Sequence, residues 1–154
     1  MRALLVDVRG TLARAASTRD AHHQRGKVYL ARMPTSTSPG SPTVIDTNAM
    51  PWEERPDEKI GRPILRKLLI DDPETGMGVR LTRYPAGVMN PWHTHHCAHG
   101  MFVLEGTLVT NAGSYGPGTF VWFPEGELMQ HGATAEGDVT VVFVTNKRFD
   151  IQYR

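Results

Sequence analysis

The stretch GVMNPWHTHHCAHGMFVLEG, residues 87–106, places four imidazoles and one thiol within the seven residues 93–99. Neutral imidazole is the commonest protein ligand for zinc, iron, nickel and copper. Side chains two positions apart on a strand point to the same face, so His93 and His95 would present both rings to one metal ion. Because the flanking sequence is apolar and strand-like, we interpret the stretch as a metal site rather than a polar surface loop.

A β pattern extends from residue 64 almost to the C-terminus. Short apolar or alternating segments are separated by turns that contain glycine, proline or asparagine, such as residues 71–76 and 111–113. Segments at roughly 8–12-residue spacing indicate an antiparallel sandwich or barrel. No heptad, long helical period or internal repeat competes with this interpretation. The predicted strands cover residues 64–70, 79–84, 101–104, 107–110, 119–123 and 139–145.

The composition excludes several classes of protein. Of the 154 residues, 40% are hydrophobic and one is a cysteine, as in an ordinary globular domain without a disulfide framework. No apolar run reaches the roughly 18 residues of a membrane helix. Residues 33–154 carry ten Arg or Lys against fourteen Asp or Glu, a net charge of −4 that offers no basic stripe for nucleic acid. We therefore expect a cytoplasmic protein that binds neither membranes nor nucleic acid.

A change in composition marks a boundary near residue 42. Residues 1–32 carry seven Arg or Lys against two Asp, and residues 34–42 read PTSTSPGSP, which is typical of a flexible linker. The first stretch is either an amphipathic targeting or interaction arm, or an artefact if translation begins at Met33; we favour the artefact. We expect a flexible N-terminal arm and linker, disordered or artefactual, over residues 1–42 and a β-barrel domain over residues 43–154.

The histidine-rich stretch resembles the first signature of the cupin superfamily. That signature is a glycine, five residues, His-x-His, three residues, a glutamate, six residues and a second glycine. Gly87, His93, His95 and Gly106 match it at every spacing. His99 stands in the position of the glutamate, which removes one negative charge beside the metal and would leave it a stronger Lewis acid.

The second cupin signature is matched with one displacement. It is a glycine, five residues, Pro-x-Gly, two residues and a histidine; Gly118 and residues 124–126 fit, but His131 follows Gly126 by four residues instead of two. Two extra residues preserve strand parity, and a β-bulge or a wider turn after Gly126 would restore the position of the ring. Met129 occupies the family position, but a thioether is a poor ligand for a hard divalent ion, so we expect His131 to be the ligand.

The resemblance implies an all-β fold, the cupin double-stranded β-helix or jelly-roll barrel, with a metal and a small-molecule pocket inside. The implied metal ligands are His93, His95, His99 and His131. His99 is interpreted as a fourth ligand, as a hydrogen-bonding or acid–base group beside the metal, or as a buried ring bonded to backbone carbonyls. His96 has the opposite parity and should point away. No catalytic residue is assigned, and the expected pocket-lining residues are Met89, Trp92, Met101, Val103, Phe120, Trp122 and Met129.

Two arginines on the predicted strand 79–84 allow a further interpretation. Arg80 and Arg83 could anchor a substrate carboxylate, although a solvated strand face is the simpler explanation. The apolar residues Val79 and Leu81, which alternate with the polar Arg80 and Thr82, indicate that one of the two faces is buried.

Within the superfamily, residues 102–106 and 114–118 resemble two subgroups. One is the cupin domain of zinc-dependent anti-sigma factors, and the other comprises small diketone- and hydroxyacetophenone-cleaving dioxygenases. Residues 1–63 do not supply the helical sigma-binding domain of the first group, so we expect a stand-alone cupin. The resemblance implies a mononuclear non-haem Fe(II) dioxygenase for a small chelating oxygenated substrate. The alternatives are a non-catalytic, sensor-like cupin that binds zinc or a metabolite, and a metal-dependent lyase or isomerase. Fe(II) or zinc is the expected metal, with manganese or nickel possible.

We also expect a homodimer that pairs β-sheets. Exposed strand edges must be covered or paired, and the extended segment 64–70 is a candidate edge. Trp52, in a proline-rich stretch, is a candidate for packing against the partner; the alternative is that it caps its own barrel.

Overall fold

A computed structural model describes residues 41–154, and every regular element in that range is a β-strand. Most of the expected arm and linker, residues 1–40, lies outside the described residues. Seven glycines have positive φ. Gly87 and Gly126 of the signatures are among them, and both lie in turns where a residue with a Cβ would be strained. The eleven strands are β1 (Glu53–Arg55), β2 (Ile64–Asp71), β3 (Gly78–Tyr84), β4 (Met89–Thr94), β5 (His99–Glu105), β6 (Leu108–Thr110), β7 (Gly113–Tyr115), β8 (Phe120–Phe123), β9 (Met129–Ala133), β10 (Val139–Thr145) and β11 (Gln152–Tyr153).

The strands form two antiparallel sheets. One sheet has the order β1-β2-β3-β10-β5-β8 and the other has the order β11-β4-β9-β6-β7. Sequence neighbours such as β4 and β5 lie in different sheets, so the chain crosses between the layers repeatedly. The arrangement confirms the predicted all-β cupin jelly roll. Within the described residues no helix is long and apolar enough to span a membrane.

The hydrophobic core lies between the two sheets. Strand β10 is the most β-branched segment, and Val139, Val141 and Phe143 on one of its faces are almost completely buried. They pack with Met101 and Val103 of β5 and with residues of the other sheet such as Leu108 and Met129. The core fills one part of the barrel, and polar side chains occupy the other part.

Two features of β4 and β9 position the candidate site. The strands pair antiparallel, with Asn90 opposite His131 and His93 opposite Met129, so β4 has one extra residue between these two pairs. Close approach of the backbones depends on Gly132: a Cβ there would lie 2.1 Å from the carbonyl oxygen of Val88. The bulge and the glycine together bring His93 and His131 side by side.

Candidate functional site

Three imidazoles converge inside the barrel. His93 lies on β4, His95 directly follows that strand, and His131 lies on the neighbouring strand β9. Their rings are buried, and one nitrogen of each lies within 4.8 Å of the others. The Nε2 atoms of His93 and His131 are 3.2 Å apart. A spacing of this order suits three nitrogens that share one metal ion.

Backbone carbonyls orient two of the rings. The Nδ1 atom of His93 donates to the carbonyl oxygen of Pro91 at 2.5 Å, and Nδ1 of His95 donates to the carbonyl oxygen of Asp150. A carbonyl can only accept, so the proton of each neutral ring must be on Nδ1. The lone pair is then on Nε2, which is the atom directed toward the other histidines, and Nε2 of His95 has no hydrogen-bond partner.

Burial keeps these rings neutral at physiological pH. Loss of hydration lowers the pKa of His93, lowers that of His95 to about 4, and lowers that of His131 well below its ordinary value; positive charge on neighbouring groups lowers the last two further. Only the neutral ring can ligate a metal ion, so the histidines do not need to lose protons before they bind one.

His99 approaches the three histidines from the opposite sheet. Its ring stacks on Phe123 and Phe143, with centroids 4.8 and 4.7 Å away, and its centroid lies 4.7 Å from that of His95. Both ring nitrogens are buried without a hydrogen-bond partner, so no backbone carbonyl satisfies this imidazole. Burial lowers its pKa to about 2. His99 therefore contacts the cluster but does not belong to the three-nitrogen group, and its role as a ligand stays a prediction.

His96 and Cys97 take no part in the cluster. His96 is exposed and pairs with the Asp150 carboxylate, with 2.7 Å between Nδ1 and Oδ2, as its opposite parity predicts. Cys97 is buried, and loss of hydration raises its pKa, so the thiol stays protonated.

A cavity of about 180 Å³ opens beside His95 and His131. Ile60, Ile64, Phe143, Phe149 and Ile151 form its apolar walls. Polar groups come mainly from β1 to β3, from the segments that join them and from the C-terminal residues. These polar lining residues are Arg55, Asp57, Arg66, Arg80, Thr82, Tyr84, Asn90 and Tyr153.

None of the seven expected pocket-lining residues contacts this cavity. Met101, Val103 and Met129 are fully buried in the core, and Met89 is partly buried on β4. Trp92, Phe120 and Trp122 are 42–54% exposed. Strand parity explains the two tryptophans, because Trp92 adjoins the inward His93 and Trp122 adjoins the inward Phe123.

Strand β3 contributes residues to the cavity, among them Arg80, for which a solvated strand face was the simpler explanation from sequence. Arg80, Thr82 and Tyr84 all face the cavity, whereas Arg83 lies outside against Trp52 and near Glu105. Arg80 shares its strand parity with Tyr84, but the alternation alone does not say which face of β3 points inward. Asp57, Asp150 and Tyr153 also belong to the site or its cavity. No sequence pattern near the histidines indicates this, because the three residues lie far from them along the chain.

The fold is shared with several solved cupin structures. A candidate acetylacetone dioxygenase from Methylibium petroleiphilum PM1 is 15% identical, with a TM-score of 0.62 over 72% of this chain and 81% of that protein. A candidate dioxygenase from Nostoc punctiforme PCC 73102 is 17% identical, with a TM-score of 0.63 over 71% of this chain and 41% of the other. The DMSP lyase DddQ from Ruegeria pomeroyi DSS-3 is 16% identical, with a TM-score of 0.53 over 67% and 60%. At these identities the likeness shows the fold alone.

Sequence comparison identifies the family. No curated protein matches the chain. The sequence profile of the ChrR cupin-like domain matches residues 41–150, which is more than two thirds of the chain and includes all four candidate histidines. The chain therefore belongs to the ChrR cupin-like family.

Proposed function

We propose that this protein is a metal-dependent enzyme of the mononuclear non-haem Fe(II) dioxygenase type, acting on a small oxygenated substrate that can chelate a metal. One observation carries the proposal: three neutral histidines converge, and two of them, His95 and His131, line a cavity. A catalytic metal site needs protein ligands on one side and open positions on the other. The relatedness in fold to two candidate dioxygenases agrees with this function.

The unpartnered polar atoms fit a bound metal and ligand. Seven buried side-chain nitrogen or oxygen atoms in residues 41–154 have no hydrogen-bond partner, and they belong to six residues. His99 contacts the cluster, and the other five residues line the cavity. Buried polar groups nearly always have a hydrogen-bond partner in native proteins. Buried atoms without such a partner that are concentrated at one place therefore indicate a binding site. The six residues are Arg66, Thr82, Asn90, His95, His99 and His131.

The chain's own groups would prepare the reaction. An iron(II) ion held by the histidines would supply Lewis-acid and one-electron chemistry toward O2. The carbonyls of Pro91 and Asp150 hold two ligand rings in the required tautomer. Burial raises the pKa of Tyr84, so its hydroxyl stays protonated and can donate to a substrate oxygen. Phe143 and Phe149 exclude water from one wall.

Metal analysis and oxygen uptake test this function together. We expect protein purified without added metal to contain iron at close to one ion per chain by mass spectrometry. With Fe(II) restored, it should consume O2 when a small chelating substrate is added, either a β-diketone such as acetylacetone or an oxo- or hydroxycarboxylic acid. His96→Ala is the matched control, because its ring is exposed, and it should keep both properties. Stoichiometric zinc, with no uptake after iron loading on any diketone or small oxo- or hydroxycarboxylic acid, would refute the dioxygenase.

The second candidate is a non-catalytic cupin that binds zinc or a metabolite. The position of His99 favours it, because a fourth nitrogen from β5 would complete a closed zinc site without an open position. Membership of the ChrR cupin-like family is compatible with this alternative. A metal-dependent lyase or isomerase would use the same polarising site with a different substrate, and one fold relative is a lyase.

We further propose a homodimer in the cytoplasm, where the single buried Cys97 needs no partner. Trp52 packs within its own chain against Lys67 and Arg83, which supports the capping role.

Exposed apolar side chains lie instead on the outer face of β5 and β8, at the sheet edge, and include Phe120 and Trp122. Light scattering should give twice the 17.1 kDa of one chain, and Trp122→Lys should shift the mass toward the monomer. A monomer at every concentration would exclude the dimer.

A further inference from the structure

We propose that the cavity beside the histidines binds a small oxo- or hydroxycarboxylic acid, and that Arg80 binds its carboxylate. This substrate class rests on the proposed function, because the second oxygen of the acid would reach the metal. The proposal assigns the negative end of the substrate to a residue outside both cupin signatures.

The Arg80 guanidinium lies in the barrel without a carboxylate partner. No Asp or Glu of residues 41–154 is within ion-pair distance of it. Its central carbon lies 3.9 Å from the ring centroid of Phe143 and 4.2 Å from that of Phe149. The aromatic faces hold the cation but leave its hydrogen-bond donors free.

The same two rings connect Arg80 to the histidine cluster. Phe143 stacks on His99 with a centroid distance of 4.7 Å, and Phe149 lies 4.8 Å from His95. The guanidinium is therefore one ring away from two of the candidate ligands. A small ligand in the cavity can meet the histidines with one end and Arg80 with the other.

The charges around the cavity favour an anion. Three arginines and one aspartate line it. The aspartate, Asp57, accepts a hydrogen bond from the Tyr153 hydroxyl at 2.6 Å, and Arg66 has only a 3.8 Å contact with the exposed Glu53. A cation removed from water is costly unless an anion compensates it, and burial lowers the pKa of Arg80 to about 10. A carboxylate would supply the missing charge in the fork geometry that guanidinium prefers.

The size and polarity of the cavity limit the acid. Its volume of about 180 Å³ suits a small molecule rather than a polymer. Tyr84 offers a protonated hydroxyl, and the orphan oxygens of Thr82 and Asn90 face the same space. Polar groups at several points favour a ligand with more than one oxygen.

Titration calorimetry with two matched probes tests the proposal. Pyruvate and butane-2,3-dione have the same number of heavy atoms, but only pyruvate carries a carboxylate. We expect the metal-loaded protein to bind pyruvate at least about 10-fold more tightly than the dione, as a charge-assisted contact provides. Arg80→Met, which keeps the apolar contact with the two rings, should remove this preference without changing metal content or melting temperature. Arg80→Lys should restore part of it, and the outward-facing Arg83→Met should leave it intact.

The outcomes separate this proposal from the proposed function. Equal binding of the two probes, no pyruvate binding at millimolar concentration, or an unchanged preference in Arg80→Met would overturn the carboxylate site even if metal binds. An Arg80-dependent preference for pyruvate in a protein that binds no metal would support the carboxylate site and refute the metal enzyme. If Arg80→Met does not fold, Arg80→Lys provides the test instead. A folded Arg80→Lys variant with no preference for pyruvate over the dione would count against the proposal.

Discussion

Alanine at His93, His95 or His131 should remove stoichiometric metal from the protein. Each ring supplies one of three nitrogens that lie within 4.8 Å of one another, so each alanine removes one nitrogen of this group. Removal of a group that merely orients a ligand costs 10- to 100-fold in affinity, so loss of a ligand should cost at least about 100-fold. Each variant would be purified without added metal, and its metal content would be measured by mass spectrometry.

Met129→Ala is the control that tests the displaced signature. Met129 occupies the position at which other cupins have the histidine, but its side chain is buried in the core. The variant should lose stability, because a large-to-small change in a core costs about 2–5 kcal/mol, yet keep its metal. Metal retained in His131→Ala and lost from folded Met129→Ala would show that the thioether is the ligand.

His99 is tested in the same series. We keep it in the proposed ligand set with His93, His95 and His131, because its nitrogens are buried and lack partners beside His95. His99→Ala should therefore lower metal affinity. An unchanged affinity would leave His99 as a ring that packs on Phe123 and Phe143 and would count against the closed zinc site with four nitrogens.

The sequence predicted the site where its determinants are local. The period of two on a strand is enough to direct His93 and His95 inward and His96 outward. The poor affinity of a thioether for a hard divalent ion favours His131 over Met129, which occupies the signature position. Strand β9 itself was not predicted, because Met129–Ala133 contains no β-branched residue. Its register with β4 includes one extra residue in β4, between Asn90 and His93.

Other parts of the site depend on contacts distant in sequence. An alternating pattern defines two faces of β3 but does not say which face is inward, so Arg80 was assigned to solvent. The answer comes from β10, where Phe143 stands directly opposite Arg80 and covers it. Similarly, the Asp150 carbonyl that orients His95 is 55 residues away along the chain. A local pattern cannot supply such contacts, because they form only when distant segments of the chain come together.

Gly132→Ala should destabilise the barrel and remove the metal together. Gly132 pairs with Met89 on one side and Val109 on the other, so β9 is held between two strands. An added Cβ would lie 2.1 Å from the Val88 oxygen and 2.7 Å from the Met89 Cα. These are backbone atoms that cannot rotate away, so β4 and β9 must separate, which displaces His131 from His93. We expect the free energy of unfolding to fall by about 3 kcal/mol or more.

Chemical denaturation followed by circular dichroism measures this loss, and metal content is measured on the same samples. Gly137→Ala is the matched control, since its added Cβ would meet no atom within 4 Å, and its free energy of unfolding should change by no more than about 0.5 kcal/mol. The two effects of Gly132→Ala have one cause, the distance between β4 and β9, so they must appear together. A variant that unfolds as easily as expected but keeps its full metal content would show that the histidines do not depend on this strand contact.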